Sequence, residues 1–390
     1  VCLFGLCVNA GFVRAQTLST IYVNPHHFQV SDTNPGTEEL PVQTLQRAAR
    51  IAEKNNENGV ATRVIIAPGV YRENIRMERT GRETSAAITF EASEHGQVVV
   101  TGSEIWSDWT QLGGWPDWIR RAIVGRYTHP WPYRWGEAPY PPGWEESVVL
   151  EPIVRRREML FANGQLLRQV LSLADLQEGS FYISEELGVV HLWLPSGMGI
   201  ASVTIEVATR SELFYIEGKR NLTLRGLIFQ HDNSPVPGNA VVITGSSHIL
   251  VEDCEFRWNN WNGLAVWVSE NVRVLGSVAN DNGGAGMTAW RVKNLLFEDN
   301  ETSYNNWRGK SGNFTGWGVA GTKHLRIHGG IYRRHKAVGN HTRGFWLDSD
   351  NQDILIEEAD WSDNLTNGVF IEASQGPIVV KDSVMSRNQE

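Results

Sequence analysis

From Asn221 onward the chain keeps returning to one short pattern, x-[LIV]-x-[LIV], and that return constrains the fold more than any other feature. It reads NLTL at 221, HILV at 248, NVRV at 271, NLLF at 294, HLRI at 324, DILI at 353 and PIVV at 377, at spacings of 27, 23, 23, 30, 29 and 24. A strand-length apolar alternation recurring at this period is one supersecondary unit per repeat, and such units bury their apolar faces only by stacking. Asn- and Gly-rich joints (WNNWNG, NDNGGAG, SDNLTNG) separate the short strands, as sharp turns require. The pattern predicts an all-β, right-handed parallel β-helix, one coil per repeat, with two of its loops lengthened.

The rest of the chain is read against that solenoid. Residues 1–15, VCLFGLCVNAGFVRA, have the apolar core of a secretory signal, with Val13 and Ala15 at the small positions before a cleavage at Gln16. This places the mature protein outside the cytoplasm, secreted, periplasmic or on the cell surface, with no membrane span in the mature chain; an N-terminal membrane anchor is the alternative reading of the same segment. Cys2 and Cys7 leave with the signal, so Cys254, in the apolar run VEDCEF, reads as a small core residue rather than half of a disulfide. Residues 16–103 are expected to hold an N-terminal cap and the first coils. There PVQTLQRAARIAEK (41–54) sets Leu45, Ala48, Ala49, Ile51 and Ala52 on one helical stripe suited to plugging a solenoid end. Residues 104–210 change texture: eight of the 16 Trp fall here, and HPWPYRWGEAPYPPGW is rich in Pro. An inserted β-rich subdomain with a long loop is expected, serving as a lid, a sugar-contacting wall or a packing elaboration. Residues 211–390 carry the remaining coils, and a coil begun just before Glu390 suggests that more chain follows.

A second strand in each coil begins at a glycine: Gly263-Leu-Ala-Val-Trp267, Gly286-Met-Thr-Ala-Trp290, Gly316-Trp-Gly-Val-Ala320, Gly344-Phe-Trp-Leu-Asp348 and Gly368-Val-Phe-Ile-Glu372. Strand side chains alternate faces, so the apolar parity, including Trp317 and Val319, points inward. The other parity points out and holds Trp267, Thr288, Trp290, Gly318, Ala320, Trp346, Asp348, Phe370 and Glu372. Exposed Trp267, Trp290, Trp346 and Phe370 would then form an aromatic strip along the helix axis, suited to the faces of sugars. Asp348 and Glu372 fall at one position of adjacent coils, about one strand spacing apart. Two carboxyls about 5–5.5 Å apart are the arrangement of a retaining glycosidase, and like charge at that range raises one of the two pKa values. Solvated surface carboxylates are the plain alternative. Asp348, Asp350 and Asp353 also suit Ca²⁺, whose ligands are acidic oxygens from neighbouring turns. The strip could equally be covered by the inserted subdomain. The net charge of −9 excludes nucleic acid as a natural partner and leaves a polysaccharide or oligosaccharide.

The segment GFWLDSDNQDILIE, followed by NGVFIEASQGPIVV, resembles the catalytic coils of the β-helical glycoside hydrolases, most closely the family 120 β-xylosidases. Family 141 is a more distant likeness, and GTEELPVQTLQRAARIA with APGVYREN resembles the N-terminal cap of the wider pectate-lyase-like superfamily. The resemblance implies Asp348 as nucleophile and Glu372 as general acid/base, with Gly376-Pro377 in the turn after it and no cofactor. Ser349 departs from it, since that family tends to carry an aromatic there. His335, Lys336, His341 and Arg343, in the loop entering the catalytic coil, are candidates for binding hydroxyl or carboxylate groups. Two rivals stand beside a retaining hydrolase. A Ca²⁺-dependent polysaccharide lyase would use Lys336 or Arg343 as base, and a non-catalytic adhesion module would only hold glycan.

Overall fold

In the computed structural model, which describes residues 17–111, 125–144 and 147–389, three parallel strand faces wind around one narrow apolar interior. The proposed signal, residues 1–15, lies outside the described residues. The first face stacks Ile75–Met77, Phe214–Glu217, Asn239–Thr244 and the leading halves of three long strands, Asn262–Leu275, Met287–Glu298 and Ala320–Arg333. Arg343–Asp348 and Val369–Glu372 complete it. Those long strands bend at Val268, Arg291 and Arg326, each with φ near +50°, and their second halves join the second face. That face runs from Leu18–Val23 to Ile378–Lys381. The third face starts as strands at Gly69–Tyr71, Val98–Thr101, Leu227–Gln230 and Glu255–Arg257. It then thins to single bridges at Val278, Glu301, Lys336, Asp360 and Val384. The fold is the right-handed parallel β-helix that the repeat predicts.

Leu45–Glu57 forms the expected helix, capped by Thr44 Oγ1, which accepts from the Arg47 N–H. Its buried stripe of Leu45, Ala48, Ala49 and Ala52 packs on the first strands and closes that end of the solenoid. Between Thr101 and Phe214 the chain leaves the solenoid and builds two further sheets within Ser103–Ala208, antiparallel but for the parallel pair Arg168–Val170 and Ser180–Ser184, with a core of their own around Trp131, Phe181, Leu192 and Val207. Exit and re-entry are clasped at Gly102, whose carbonyl accepts from the Thr209 N–H at 2.8 Å. A Cβ on Gly102 would lie 2.3 Å from the His231 carbonyl, so only glycine fits there. Arg308, fully buried, ties the insertion to the coils: it donates to Asn260 Oδ1 (3.0 Å), Gln169 Oε1 (2.8 Å) and the Glu158 carbonyl (2.8 Å). Among the described residues no helix is long and apolar enough to cross a membrane.

Register is held by two residue ladders, one of asparagine side chains and one of glycines, at the turn that enters the first face. Asn259, Asn282, Asn305, Asn340, Asn364 and Asn388 pass amide hydrogen bonds from rung to rung at 2.9–3.2 Å. Beside them runs Gly263, Gly286, Gly321, Gly344 and Gly368. A Cβ on any of the first four would come within 2.6–2.8 Å of the next rung's glycine carbonyl. In four coils the glycine follows its asparagine by four residues, but Gly321 follows Asn305 by 16. Twelve extra residues therefore sit in this one turn, and they include the short helix Trp307–Ser311.

This corrects two registers expected from sequence. Leu295 pairs with Gly330 and Gly330 with Ile354, so the second-face strand of that coil is GGIY at 329, not HLRI at 324. The coil loops thus hold one long extension, not two lengthened turns. Likewise the first-face strand starts at Gly321, not Gly316. Trp317 is not inward but half-exposed and packed at a tilt against Trp144, and the inward pair is Thr322 and His324. The false matches arose because HLRI and GWGVA alternate like a strand while lying across a bend or within the extension.

Candidate active site

The corrected register yields two outward ladders on the first face. One runs Thr244, Trp267, Trp290, Leu325, Asp348, Glu372; the other runs Val242, Ala265, Thr288, Lys323, Trp346, Phe370. Asp348 and Glu372 are direct partners on neighbouring strands, so their backbones are about 4.8 Å apart. Trp267 and Trp290 share their ladder, and the first carboxylate lies two rungs, or about 10 Å, from Trp290.

Asp348 and Glu372 sit in different environments. Asp348 is 8% exposed: its Oδ2 lies 2.9 Å from Lys323 Nζ and its Oδ1 accepts from Ser349 Oγ at 2.8 Å. Asn351 Nδ2 donates to the Asp348 carbonyl and the Ser349 N–H donates to the Glu372 carbonyl, which fixes the turn beyond both acids. Glu372, on the rung after Asp348, is exposed. Lys323 lies over the Trp346 ring, its Nζ 3.5 Å from the centroid, and is as buried as its partner. Burial pulls the Lys323 ammonium below its ordinary value, while the hydrogen bond and charge of Asp348, then the charge of Glu372, act the other way. A cation and a hydroxyl held against the two oxygens of the inner carboxylate fix its orientation, as a nucleophile needs, while the outer carboxyl is open to solvent.

The aromatic strip is not the continuous exposed surface expected. Trp346 is 3% exposed, sandwiched by Lys323 and by Arg343, whose guanidinium lies 4.5 Å from its ring and 4.9 Å from that of Phe370. Trp267 is half-buried, and Trp290 is 36% exposed with Arg291 on its ring. The two pairs belong to different ladders: Trp267 and Trp290 stand fifth in strands that open at a glycine, whereas Trp346 and Phe370 stand third. Arg343 also donates to the Thr315 carbonyl, so the 12-residue extension abuts the site. The Pro-rich loop in turn braces that extension, with Trp144 on Trp317 and Val148, Leu150 and Val154 packed with Phe314 and Val319.

Of the four loop candidates, Arg343 alone contacts the site aromatics. His341 sits 3.3 Å from Lys310 Nζ on the extension, and Lys336 lies on the third face beside Glu301. His335 is wholly buried inside the coil and cannot touch a sugar: the Trp361 indole donates to its Nδ1 (3.2 Å) and its Nε2 faces Thr302 Oγ1 (2.9 Å). It follows Arg334 at a positive-φ corner and turns inward there, which strand parity could not show. Asp350 turns toward His328 (3.5 Å) and Gln352, while Asp353 lies on the second face. Among the described residues no three His, Cys, Asp or Glu side chains gather as a metal site, so those three aspartates do not form the cluster their spacing suggested. Lys323 is the residue that sequence reasoning missed. The N-x-x-x-G spacing of the other four coils, applied to Asn305, would have pointed past the extension to Gly321-Thr-Lys323.

No curated protein sequence matches the chain. Among solved structures, a complex of XylC with xylose superposes with a TM-score of 0.67 at 16% identity, covering 93% of this chain and 65% of its own. A protein described as a glycoside hydrolase superposes with a TM-score of 0.53 at 12% identity, covering 95% and 96%. The chain thus spans slightly less than two thirds of the XylC structure, and identities this low speak to fold alone. The family model described as the right handed beta helix region matches residues 189–390, just over half of the sequence. By that match, and by the three stacked faces described above, the chain belongs to the right-handed β-helix family.

Proposed function

We propose that the protein is a retaining glycoside hydrolase, xylosidase-like in its substrate, that acts on a polysaccharide or oligosaccharide outside the cytoplasm. The observation that carries this reading is the in-register pair Asp348 and Glu372 on adjacent outward rungs, with Lys323 held against the inner member. Asp348 attacks the anomeric carbon as the leaving oxygen takes a proton from Glu372. The glycosyl-enzyme bond then breaks when water, deprotonated by Glu372, attacks the same carbon from the face the leaving group vacated. Lys323 and Ser349 hold the Asp348 oxygens in place through both steps. Trp267 and Trp290 supply a platform for further sugar units, and Arg343 fixes Trp346 beside the reacting ring. No metal is required by this route.

The test is an aryl xyloside assayed by NMR for the configuration of the first-formed sugar, together with a 2-fluoro glycoside that traps the intermediate. Retention, with the trapped sugar on Asp348 and loss of turnover in Glu372→Gln, is the expected result. Inversion, or a label on another residue, overturns it. A polysaccharide lyase is a second reading favoured by one observation: Lys323 is a buried amine with a lowered proton affinity, as a C5 base would be. It would leave a product with a new ultraviolet-absorbing double bond.

A further inference from the structure

A groove of about 590 Å³ runs along the bend between the first and second faces, beside the ladder that carries the two carboxylates. Its floor is the row Arg220, Ser247, Glu270, Lys293, His328, one residue per rung. Its rim includes Arg291 and Arg326, each the residue directly after a ladder member, Trp290 and Leu325. Arg79 closes the N-terminal end, where it donates to the Gly245 carbonyl, and Asp350 closes the other, one turn beyond Asp348. Five Arg and Lys against Glu270 and Asp350 leave the groove cationic on a chain whose net charge is −9. Local packing uses only part of that charge: Arg79 faces Glu217 at 3.9 Å and Arg291 lies on the Trp290 ring, but among the described residues neither the Arg220 nor the Lys293 side chain has an ion-pair or hydrogen-bond partner. Side chains one rung apart, about 4.8 Å, match the reach of a single carboxylate or sulfate, and five rungs span about 20 Å, the length of a few sugar units.

We infer that this groove is an anion subsite that recognises acidic groups, carboxylates of uronate units above all, carried on the same glycan that lies along the Trp267–Trp290–Asp348 ladder. A sugar seated on that ladder directs its substituents over the bend, where Arg291, Arg326 and Lys293 stand to receive negative charge. The subsite sets which glycans are held and takes no part in bond cleavage. The inference deepens the hydrolase reading by naming the substrate class.

The test is calorimetric binding of three probes to the full chain carrying Glu372→Gln: a neutral xylo-oligosaccharide, the same oligosaccharide with one glucuronate branch, and a sulfated counterpart. The acidic probe should bind roughly tenfold more tightly than the neutral one at low salt. That advantage should shrink as salt rises and disappear in Arg220→Gln/Lys293→Gln. Both positions are exposed, so circular dichroism and the neutral probe's unchanged heat verify folding, and the single substitutions give partial losses if the double variant misfolds. A tighter sulfated probe supports anion recognition with sulfate as its source. Equal affinity for neutral and charged probes, or an advantage that survives the double substitution, overturns the inference. Because binding is read without turnover, an absence of hydrolysis would refute the function proposed above while leaving this result readable.

Discussion

Replacing Lys323 with Met removes the cation that faces Asp348 and leaves a carboxylate buried beside a second acid. At 2.9 Å, two unit charges attract by about 6 kcal/mol when the effective dielectric constant is roughly 20. Both side chains are shielded from solvent, at 7% and 11% exposure, so screening removes little of this, but desolvation of the pair already offsets part of it in the native protein. Breaking such a pair by deleting one partner costs about 3–5 kcal/mol, whereas deleting both is far milder because no buried charge remains. The expected signature is therefore non-additive. Lys323→Met should be destabilised by about 3 kcal/mol in urea unfolding, and adding Asp348→Asn to it should recover most of that loss, a coupling of about 2–3 kcal/mol. Lys323→Arg, which keeps the charge, should lose much less. The proper comparison is the first unfolding transition, since a stacked solenoid need not melt in one step. If the two substitutions simply add, the ion pair is not what holds Asp348 in place, and the reasoning that makes it a positioned nucleophile fails with it.

Three further outcomes follow from other parts of the molecule. His231, His324 and His335 are buried and held neutral, burial pulling each down to about 3 from an ordinary 6.5. The unfolded chain takes up those protons first, so their contribution is complete above pH 6.5 and is lost as pH falls from 6.5 toward about 3, at roughly 1.4 kcal/mol per unit and group. Urea midpoints should fall steeply across that window, and His335→Gln should flatten the slope. Arg308→Met should cost about 2–4 kcal/mol by stranding the Glu158 carbonyl, Gln169 and Asn260, and limited proteolysis should then cut within 103–208 before the coils. Asn340→Ala strands the Asn305 N–H and interrupts the amide row, at about 1–3 kcal/mol. Hydrogen exchange should rise at Asn305 and its neighbours ahead of the cap helix.

The fold was legible because strand alternation and turn residues repeat together, and the register of the two acids was legible because each stands four residues after the glycine that opens its strand. What the sequence hid was the coil with the extension. Local alternation cannot tell a strand from a mimic, so GWGVA displaced Gly321–Leu325, and Lys323 went with it. The burial of Trp346 was hidden for the same reason, since the cations that sandwich it come from a mis-registered rung and from a residue at the strand's start. His335 shows a different limit: whether a side chain turns inward at a corner depends on a backbone angle that periodicity does not encode.

The 12-residue extension has a consequence for how such a molecule can change. It enters where amide and glycine rows grip the chain on both sides, so its length does not disturb the alignment of the rungs that follow. The same segment reaches Arg343 and the aromatic wall beside the acids. Replacing residues 310–320 with other sequences, Arg308 being kept, should therefore remodel what the cleft admits while the two acids stay where they are, making this turn the place to graft new selectivity.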